Sequence, residues 1–554
     1  MNRRKTPRVI RWSTDLWHFP QLLLLLIFLL VTMTSCTLNV AGDARLPNHV
    51  VMLDEKGELI DIGEHDKCPP ESRNCNFNYS ALNHDDGKKR VTRKIEELRS
   101  FKTNKEFCEN AGYEPGIPIG YPSATDEYEI LIFVHGGLNT QNGSLDRAAS
   151  LFPKILCEGG YYPVFINWKS SLWSSYGEHL VNVRQGTRYD FLHWQTLLAP
   201  TVFVIDIARS LARAPVAWAE LFSNDFQGSI FHSAATEHQM LRDLIAEAKS
   251  DQGNNITASS LDQMTESSGW KTLWSTFTYF LTLPTKLASV PFIDAFGTSA
   301  WSNMQRRTQM LFHTQEESEF NSKVRQFHRE KILNSGTLED LTYLDAQGGL
   351  SLFLNELIEK LKDEPKKYKV TLVGHSAGTI ILNQLIREFG ERIKKEAPNI
   401  SVSKIVYLAA ASTIQDYRGS IWPYLRMDGH TKFYNLMLHN KAEAQDSTVV
   451  PFPLLKEFEW DPGPRGSLLV WVDAFLSNPL TAEDRTVGKF TNLMKTVQET
   501  PRDIRGQIYL KVFNIGGEYD PVHHAGFGDK FKFWDDGCLD PTQQNEGRCW
   551  TEKP

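Results

Sequence analysis

One serine of this sequence lies in a setting suited to nucleophilic chemistry, within the pentapeptide Gly374-His375-Ser376-Ala377-Gly378. Residues 369–373 before it are mostly apolar and β-branched, as in a buried strand, and residues 379–395 have the pattern of a helix. Glycines at both ends allow a tight turn between them, which would present the Ser376 hydroxyl at the carboxyl end of the strand. The amide of Ala377 would then lie at the helix N-terminus, where backbone N–H groups stabilise negative charge. We therefore predict that Ser376 is a nucleophile with a base nearby, because a free hydroxyl reacts poorly at neutral pH.

A second turn follows another apolar run, residues 130–134, and reads His135-Gly136-Gly137-Leu138. With the serine pentapeptide it makes the chain resemble the α/β-hydrolases, in which a His-Gly-Gly loop after an early strand completes the oxyanion hole. The resemblance covers about residues 126–178 and 340–540, with the motifs in the expected order. It implies that Gly137 or Leu138 donates one amide and Ala377 the other, and that His135 is a structural hydrogen-bonding residue.

The same resemblance places the catalytic histidine after the last strand. Residues 507–515 are predicted to be that strand, and two adjacent histidines, His523 and His524, follow it. His524 is preferred, because its spacing to Phe527 and the Phe533-Trp534 pair is similar to the loop of related hydrolases in which the base precedes a helix. His523 is the alternative.

The resemblance places the acid after a strand that follows the nucleophile helix, usually the second such strand. Residues 432–438 are that strand here, and both Glu443 and Asp446 follow it. Glu443 has the better spacing, whereas Asp446 is the commoner residue type but needs a longer loop. Asp416, after the first strand, is the third candidate, so the acid stays open between the three.

Together these residues would make a serine hydrolase that works through a covalent acyl-enzyme and needs no cofactor. The expected reaction is the cleavage of carboxylic esters, lipid acyl esters among them. An acyltransferase or thioesterase with the same residues is a second interpretation. A binding protein that has lost turnover on the same fold is the alternative from another class, because the acid is undecided.

The elements that must hold these residues alternate between strands and helices. Predicted strands cover residues 129–134, 163–168, 369–373, 404–409, 432–438 and 507–515, with helices such as 350–362 and 379–395 between them. Short apolar runs separated by helices are typical of a doubly wound, mostly parallel sheet. We therefore predict an α/β-hydrolase domain formed by residues 126–178 and 336–540, with a C-terminal tail at 541–554.

Residues 179–335 interrupt this alternation and are too many for a loop. They are predicted to form an inserted, mainly helical subdomain with apolar, aromatic-rich parts at 191–222 and 270–301. Pro284 and Pro291 are expected to break the second part, so that it is not one transmembrane helix. Two interpretations stay open: ordinary helices packed on the sheet domain, or a lid or lipid-contacting surface.

The N-terminus has the pattern of an export signal. A basic stretch precedes the uncharged residues 21–35, a run shorter than the roughly 20 residues of a membrane-spanning helix. Thr34-Ser35-Cys36 resembles a bacterial lipobox, so residues 1–35 are predicted to be a signal peptide and Cys36 the lipidated residue of a membrane-anchored lipoprotein facing the periplasm or cell exterior. Met33, where Leu is usual, keeps an uncleaved signal anchor open. Residues 36–125 are predicted to be a polar lead-in.

Cysteine usage agrees with export. Setting Cys36 aside leaves six cysteines, of which Cys68 with Cys75 and Cys538 with Cys549 are close enough in sequence for local disulfides. The sequence contains no CxxC or HExxH motif, so no metal site is predicted. The formal net charge of −7 gives no reason to predict nucleic-acid binding. The expected partners are therefore an ester substrate and a membrane.

Overall fold

The structure is a computed structural model that describes residues 40–42, 45–62, 75–77, 79–82, 84–100, 108, 127–137, 139–184, 187–188, 194–228, 239, 242–243, 255–258, 269–313, 348–446, 466–497, 499–513, 523–529, 531–539 and 549. Its strands are β1 (Val40–Gly42), β2 (Val50–Leu53), β3 (Leu59–Ile62), β4 (Cys75–Phe77), β5 (Tyr79–Ala81), β6 (Glu127–Val134), β7 (Tyr162–Trp168), β8 (Val183–Arg184), β9 (Thr187–Arg188), β10 (Asn255–Ala258), β11 (Lys367–His375), β12 (Ile400–Leu408), β13 (Lys432–Leu438) and β14 (Ile508–Phe513).

The α-helices alternate with these strands over most of the chain. They are α1 (Leu46–His49), α2 (His84–Ser100), α3 (Gln141–Cys157), α4 (Leu172–Val181), α5 (Ala199–Gly228), α6 (Gly269–Met310), α7 (Gly349–Leu361), α8 (Gly378–Glu396), α9 (Ile414–Asp428), α10 (Asn440–Gln445), α11 (Leu468–Trp471), α12 (Phe490–Val497), α13 (Gly526–Asp529) and α14 (Asp536–Leu539).

One large sheet organises the described residues, with the strand order β10-β14-β13-β12-β11-β6-β7-β2-β3-β5. The run from β10 to β2 is parallel throughout, whereas β3 and β5 are antiparallel at one edge. The chain leaves β6 towards β7 on one side and leaves β11 towards β12 on the other. The carboxyl ends of β6 and β11 therefore form a topological switch point, where α/β sheets open a crevice for ligands.

Both faces of the sheet are covered, which requires apolar residues on both sides of each strand. Along β6, Leu131 and Phe133 belong to one buried cluster, and Ile130, Ile132 and Val134 belong to another. This alternation with a period of two residues is the pleat of a strand buried on both faces. The predicted α/β class with a mostly parallel sheet is confirmed.

The predicted strands and the two predicted helices are present, with ends that differ by a few residues. The predicted boundary at residue 126 is not a boundary of the sheet, because β2, β3 and β5 come from the predicted lead-in. Strand β2 pairs in parallel with β7, from Val50 opposite Phe165 to Leu53 opposite Trp168. These strands are too short to stand out in a polar stretch of sequence.

The described part of the inserted segment is mainly helical, and its long helices α5 and α6 pack antiparallel. Ser299 donates to Asp206 over 3.1 Å, and Arg213 lies 3.2 Å from Asp294. The segment also supplies β10, which extends the main sheet beyond β14. Within the described part of the chain, no helix has the length and apolar character needed to cross a membrane.

The expectation that Pro284 and Pro291 break the second apolar part is wrong, because α6 continues through both. A proline inside a helix leaves the carbonyl four residues earlier without its usual donor. For Pro291 that carbonyl belongs to Leu287, and it accepts a hydrogen bond of 2.9 Å from Nε1 of Trp218 on α5. Tertiary packing thus replaces the backbone hydrogen bond that the proline removes.

Two disulfides lie in the described residues. The predicted Cys538–Cys549 pair is confirmed, and a second bond joins Cys108 to Cys157, 49 residues apart. Cys68 lies outside the described residues, so its predicted pairing is not addressed. Disulfides persist in oxidising compartments, which is compatible with export.

Candidate active site

Ser376 occupies a sharp turn between β11, which ends at His375, and α8, which begins at Gly378. Its φ angle of 51° lies in the left-handed region, which is uncommon for a residue with a side chain. Such a conformation costs about 1 kcal/mol or more and persists only where surrounding contacts enforce it. Here the backbone N of Ser376 donates to Leu408 O over 2.9 Å, and its carbonyl accepts from Ala411 N over 3.1 Å. Strand β12 and the loop after it therefore hold the turn.

Gly378 is required by the close approach of β6 to this turn. A Cβ atom at Gly378 would lie 2.3 Å from the carbonyl oxygen of Val134 and 2.8 Å from that of His135. Both atoms belong to the backbone, so no side-chain movement would relieve the clash. The second glycine of the pentapeptide thus allows β6 and the start of α8 to lie in contact.

The two predicted halves of the oxyanion hole lie side by side. A Cβ atom at Gly137 would lie 3.2 Å from the Cβ of Ala377, and one at Gly136 would lie 2.9 Å from the Cβ of Ser376. Ala377 is the N-cap residue of α8, so its amide is at the positive end of the helix dipole. Leu138, the other predicted donor, lies outside the described residues.

His135 is held in the wall beside this loop. Its Nδ1 lies 2.7 Å from Gly136 O, and its Nε2 accepts from the backbone N of Trp168 over 3.1 Å. A neutral imidazole with its proton on Nδ1 makes both contacts, since Nδ1 then donates and Nε2 accepts. Burial lowers the pKa of His135 to about 4, which keeps the ring in this neutral form. These contacts are those of a structural residue.

The structure places His524 beside Glu443. Nδ1 of His524 lies 3.5 Å from Oε1 of Glu443, and the two side chains are 8% and 0% exposed. Glu443 lies in the first turn of α10, just after β13, and its other carboxylate oxygen accepts from the hydroxyl of Ser467. The backbone N of Ser467 also donates to Glu443 O over 2.8 Å. Glu443 is therefore fixed at both its side chain and its main chain.

Asp446 contacts the same loop in a different way. Its Oδ2 accepts from the backbone N of His524 over 2.8 Å, and its Oδ1 lies 3.6 Å from Nδ1 of His523. Asp446 is fully buried, whereas the side chain of His523 is 58% exposed. The buried aspartate thus holds the main chain at His524, and the carboxylate near the His524 ring is that of Glu443.

The third acid candidate, Asp416, lies in another environment. It accepts from Asn383 Nδ2 over 2.6 Å and forms an ion pair with Arg387, both on α8. Burial raises the pKa of Asp416, against the opposing effect of Arg387. In the described residues, no contact joins Asp416 to His523 or His524.

His524 lies against the residue that precedes Ser376. Nε2 of His375 lies 3.1 Å from His524 O, and the two rings have their centroids 5.2 Å apart. Oγ of Ser376 and Nε2 of His524 are both buried and without a hydrogen-bond partner among the described residues. Other buried polar atoms of the described residues also lack a partner, Oγ of Ser412 among them, so the left-handed turn is what distinguishes Ser376 from another buried serine. Neither Oγ of Ser376 nor Nε2 of His524 is thus engaged elsewhere, and no hydrogen bond joins the two atoms to each other.

Three residues around the candidate site were not predicted from the sequence. His375 supports His524 and lies 3.4 Å from Nη1 of Arg147, and burial lowers its pKa well below the usual value. His375 belongs to the serine pentapeptide, so the sequence already placed it next to Ser376. Ser467 belongs to a segment with no recognisable motif, and Met304 comes from α6, so no sequence pattern connects either residue to Ser376.

Met304 and Leu468 close the site around the glycine loop. The position that a Cβ of Gly137 would occupy is 2.8 Å from Cε of Met304 and 3.9 Å from Cδ2 of Leu468. Ser376 itself is only 1% exposed, so its hydroxyl is closed off from solvent in this structure. A cavity of about 450 Å³ lies nearby, with Ile380, Ala411, Trp301 and Asp416 in its wall.

No cluster of three or more His, Cys, Asp or Glu side chains in the described ranges is arranged to hold a metal ion. Comparisons with known proteins give no relative: no family model, no curated protein and no solved structure matches the chain. The site is therefore interpreted from its own geometry.

Proposed function

We propose that this chain is an extracytoplasmic serine hydrolase of the α/β-hydrolase fold that cleaves carboxylic esters, lipid acyl esters among them. The observation that carries the proposal is the buried hydroxyl of Ser376, held at a φ angle of 51° between a strand and a helix. A hydroxyl kept without a partner in a strained turn has a cost and no evident structural use. Nucleophilic attack would be the use of this hydroxyl.

The proposed reaction assigns one role to each residue. Nε2 of His524 takes the proton as Ser376 Oγ bonds to the ester carbonyl carbon, and the amides of Ala377 and of Gly137 or Leu138 stabilise the oxyanion. The imidazolium returns the proton to the departing alcohol, which leaves an acyl-enzyme. Water then attacks with His524 again as base, so that acid is released and Ser376 recovers its proton. Glu443 orients and stabilises the imidazolium through Nδ1, from 3.5 Å.

The strand order supports the fold assignment. Ser376 follows β11, Glu443 follows β13 and His524 comes after β14, and these strands lie within one parallel run of the sheet. The glycine loop follows β6, the direct neighbour of β11. We also propose that the inserted helices act as a cap, since Met304 of α6 lies against Gly137.

Rates of hydrolysis of p-nitrophenyl esters, from acetyl to palmitoyl, test the proposal. Ser376→Ala is expected to lower kcat by about 10⁴-fold or more, while Ser412→Ala, a matched change at another buried serine, retains turnover. The absence of turnover in a folded wild-type protein would favour a binding protein. A preference for acetyl over long acyl esters would remove only lipid acyl esters from the proposal.

A further inference from the structure

The outward side of the inserted helices is apolar although it faces solvent. On α5 and α6 together, large apolar side chains are between 43% and 60% exposed: Val204, Ile205, Leu211, Val216, Phe222 and Phe292. We call this set the outer face. The opposite side of α5 is also apolar at Ala214, Ala217 and Leu221, which are buried. A helix that is apolar on both sides is normally buried on both sides.

Small and uncharged residues fill most of the space between these side chains. Apart from Arg209, the other exposed residues of α5 through residue 223 are alanine, proline, serine or threonine, among them Ala208, Ala212 and Ala219. On α6 the exposed residues near Phe292 are Pro284, Thr285 and Ala288, at helical spacing of three to four residues. The outer face therefore continues across both helices.

The charges of these helices are sorted by side. Through residue 224, the carboxylates of α5 lie inward: Asp206 is buried and bonded to Ser299, and Glu220 pairs with Arg485. Through residue 224, the exposed charge on α5 is the cation Arg209. Among the described side chains, the outer face thus carries no exposed carboxylate and one exposed arginine, which is complementary to an apolar layer bordered by anionic phosphates.

Two exposed tryptophans lie on elements that precede α5 in the chain. Trp194 is 62% exposed in the turn that leads into α5, and Trp173 is 51% exposed on α4. Tryptophan is favoured at the boundary between lipid headgroups and acyl chains, where one end of its ring is apolar and the other wet. Leu197, 82% exposed, continues the apolar surface from Trp194 towards α5.

We propose that the outer face docks on a phospholipid bilayer, with the axes of α5 and α6 along the membrane surface. The driving force is removal of the exposed Val, Leu, Ile and Phe side chains from water into the acyl region. The predicted lipid at Cys36 would hold the chain near that surface, and docking through two signals is stronger than through one acyl chain. The inference does not depend on catalysis at Ser376.

Photolabelling from the lipid side tests the proposal. The full chain is mixed with vesicles of phosphatidylcholine and phosphatidylglycerol that contain a phospholipid with a diazirine on its acyl chain, then irradiated and mapped by mass spectrometry. Adducts are expected on the outer face, at Leu211 and Val216 among other positions, in addition to any near the N-terminus. A Val204→Glu, Leu211→Glu, Val216→Glu variant is expected to lose labelling of α5 by about tenfold or more.

The matched control is Leu480→Glu, a change at a residue that is 86% exposed in a loop away from α5 in sequence, and it is expected to leave the adducts on α5 unchanged. Adducts confined to residues 1–39 would overturn the proposal, as would equal labelling of α5 in the triple variant. A dimer in sedimentation with chemical cross-links between the α5 helices of two chains, and no lipid adducts there, would assign the face to a second copy instead. Since the wild-type map is decisive by itself, misfolding of the variant would not leave the question open.

Discussion

Two buried carboxylates contact the loop of His524, and they do so through different atoms. Glu443 approaches the ring nitrogen Nδ1, whereas Asp446 accepts a hydrogen bond from the backbone N. A carboxylate beside the ring can stabilise an imidazolium directly, while one bonded to the main chain fixes where the ring lies. Spacing favoured Glu443 and residue type favoured Asp446, so the sequence left the choice open, whereas the structure gives the two carboxylates different contacts.

Matched neutral substitutions separate these roles. Glu443→Gln is expected to lower kcat by about 10³-fold or more, because it removes the charge that stabilises the imidazolium and the correct tautomer. Asp446→Asn keeps an oxygen that can accept from the His524 backbone N, so its kcat is expected to fall by less than about tenfold. Steady-state hydrolysis of the best p-nitrophenyl ester measures both. The reverse order of effects would show that Asp446 is the catalytic acid.

His135 makes the glycine loop sensitive to acid. Its folded-state pKa of about 4 lies below the usual 6.5, so the unfolded chain binds more protons between these values. The stabilisation from neutral His135 is complete above about pH 6.5 and is lost as the pH falls towards 4. The upper limit of this contribution to the free energy of unfolding is on the order of 3 kcal/mol. Protonation of Nε2 would remove the acceptor of the Trp168 backbone N–H.

We therefore expect the free energy of unfolding in urea to fall between pH 6.5 and 4, and to fall less steeply in His135→Asn. His430→Asn is the control, since this histidine is exposed, and its variant should keep the wild-type pH dependence. An unchanged slope in His135→Asn would contradict the assignment of a neutral, buried His135.

At the scale of elements, the strands were the most predictable part of the fold. Strand β13 has the predicted bounds, 432–438, because a short apolar run with polar ends is the signature of a buried parallel strand. Helix α6 was less predictable. Its continuity at Pro291 depends on the hydrogen bond that Trp218 donates to the carbonyl of Leu287. These two residues are 69 positions apart, so the local sequence around Pro291 does not contain that information.

A buried ionic cluster around Glu178 joins α4 to α6. The carboxylate of Glu178 lies 2.8 Å from Arg307 and 3.0 Å from Arg306, both on α6, and accepts from Asn303 over 2.7 Å. Arg307, only 2% exposed, also donates to Lys169 O over 2.9 Å. These contacts place α6, and with it Met304, beside the glycine loop.

Removing one member of this cluster is expected to be costly. Glu178→Gln should lower the free energy of unfolding by about 3–5 kcal/mol, because it leaves the buried charge of Arg307 uncompensated. Glu391→Gln, which breaks an exposed ion pair with Lys395, should change it by less than about 1 kcal/mol. Urea titrations followed by circular dichroism measure both, and equal effects of the two substitutions would contradict a structural role for the cluster.

For the whole molecule, the fold class and the order of the motifs could be predicted, but the long-range connections could not. The Cys108–Cys157 bond joins residues 49 positions apart, and spacing alone does not specify such a pairing. Strands β2, β3 and β5 were missed because each is only three or four residues long. The contact of Met304 with Gly137 depends on how the insertion folds back onto the sheet.

Processing at the N-terminus is a prediction for the whole chain, since it decides where the protein works. In a bacterial host, intact mass spectrometry is expected to show a mature chain that begins at Cys36 and carries lipid. Cys36→Ala should abolish the lipid mass, and the same mass measurement checks this. A mature mass that includes residues before 36 would instead support an uncleaved signal anchor.

Covalent labelling of the purified protein measures whether Ser376 is a reactive nucleophile. A fluorophosphonate reacts when an activated serine oxygen attacks phosphorus and fluoride leaves, so it reports the nucleophile without knowledge of the substrate. We expect one adduct, on Ser376, in the purified wild-type protein, none in Ser376→Ala, and retention of the adduct in Ser412→Ala. A folded wild-type protein that forms no adduct, or forms it on another serine, would show that Ser376 is not the nucleophile.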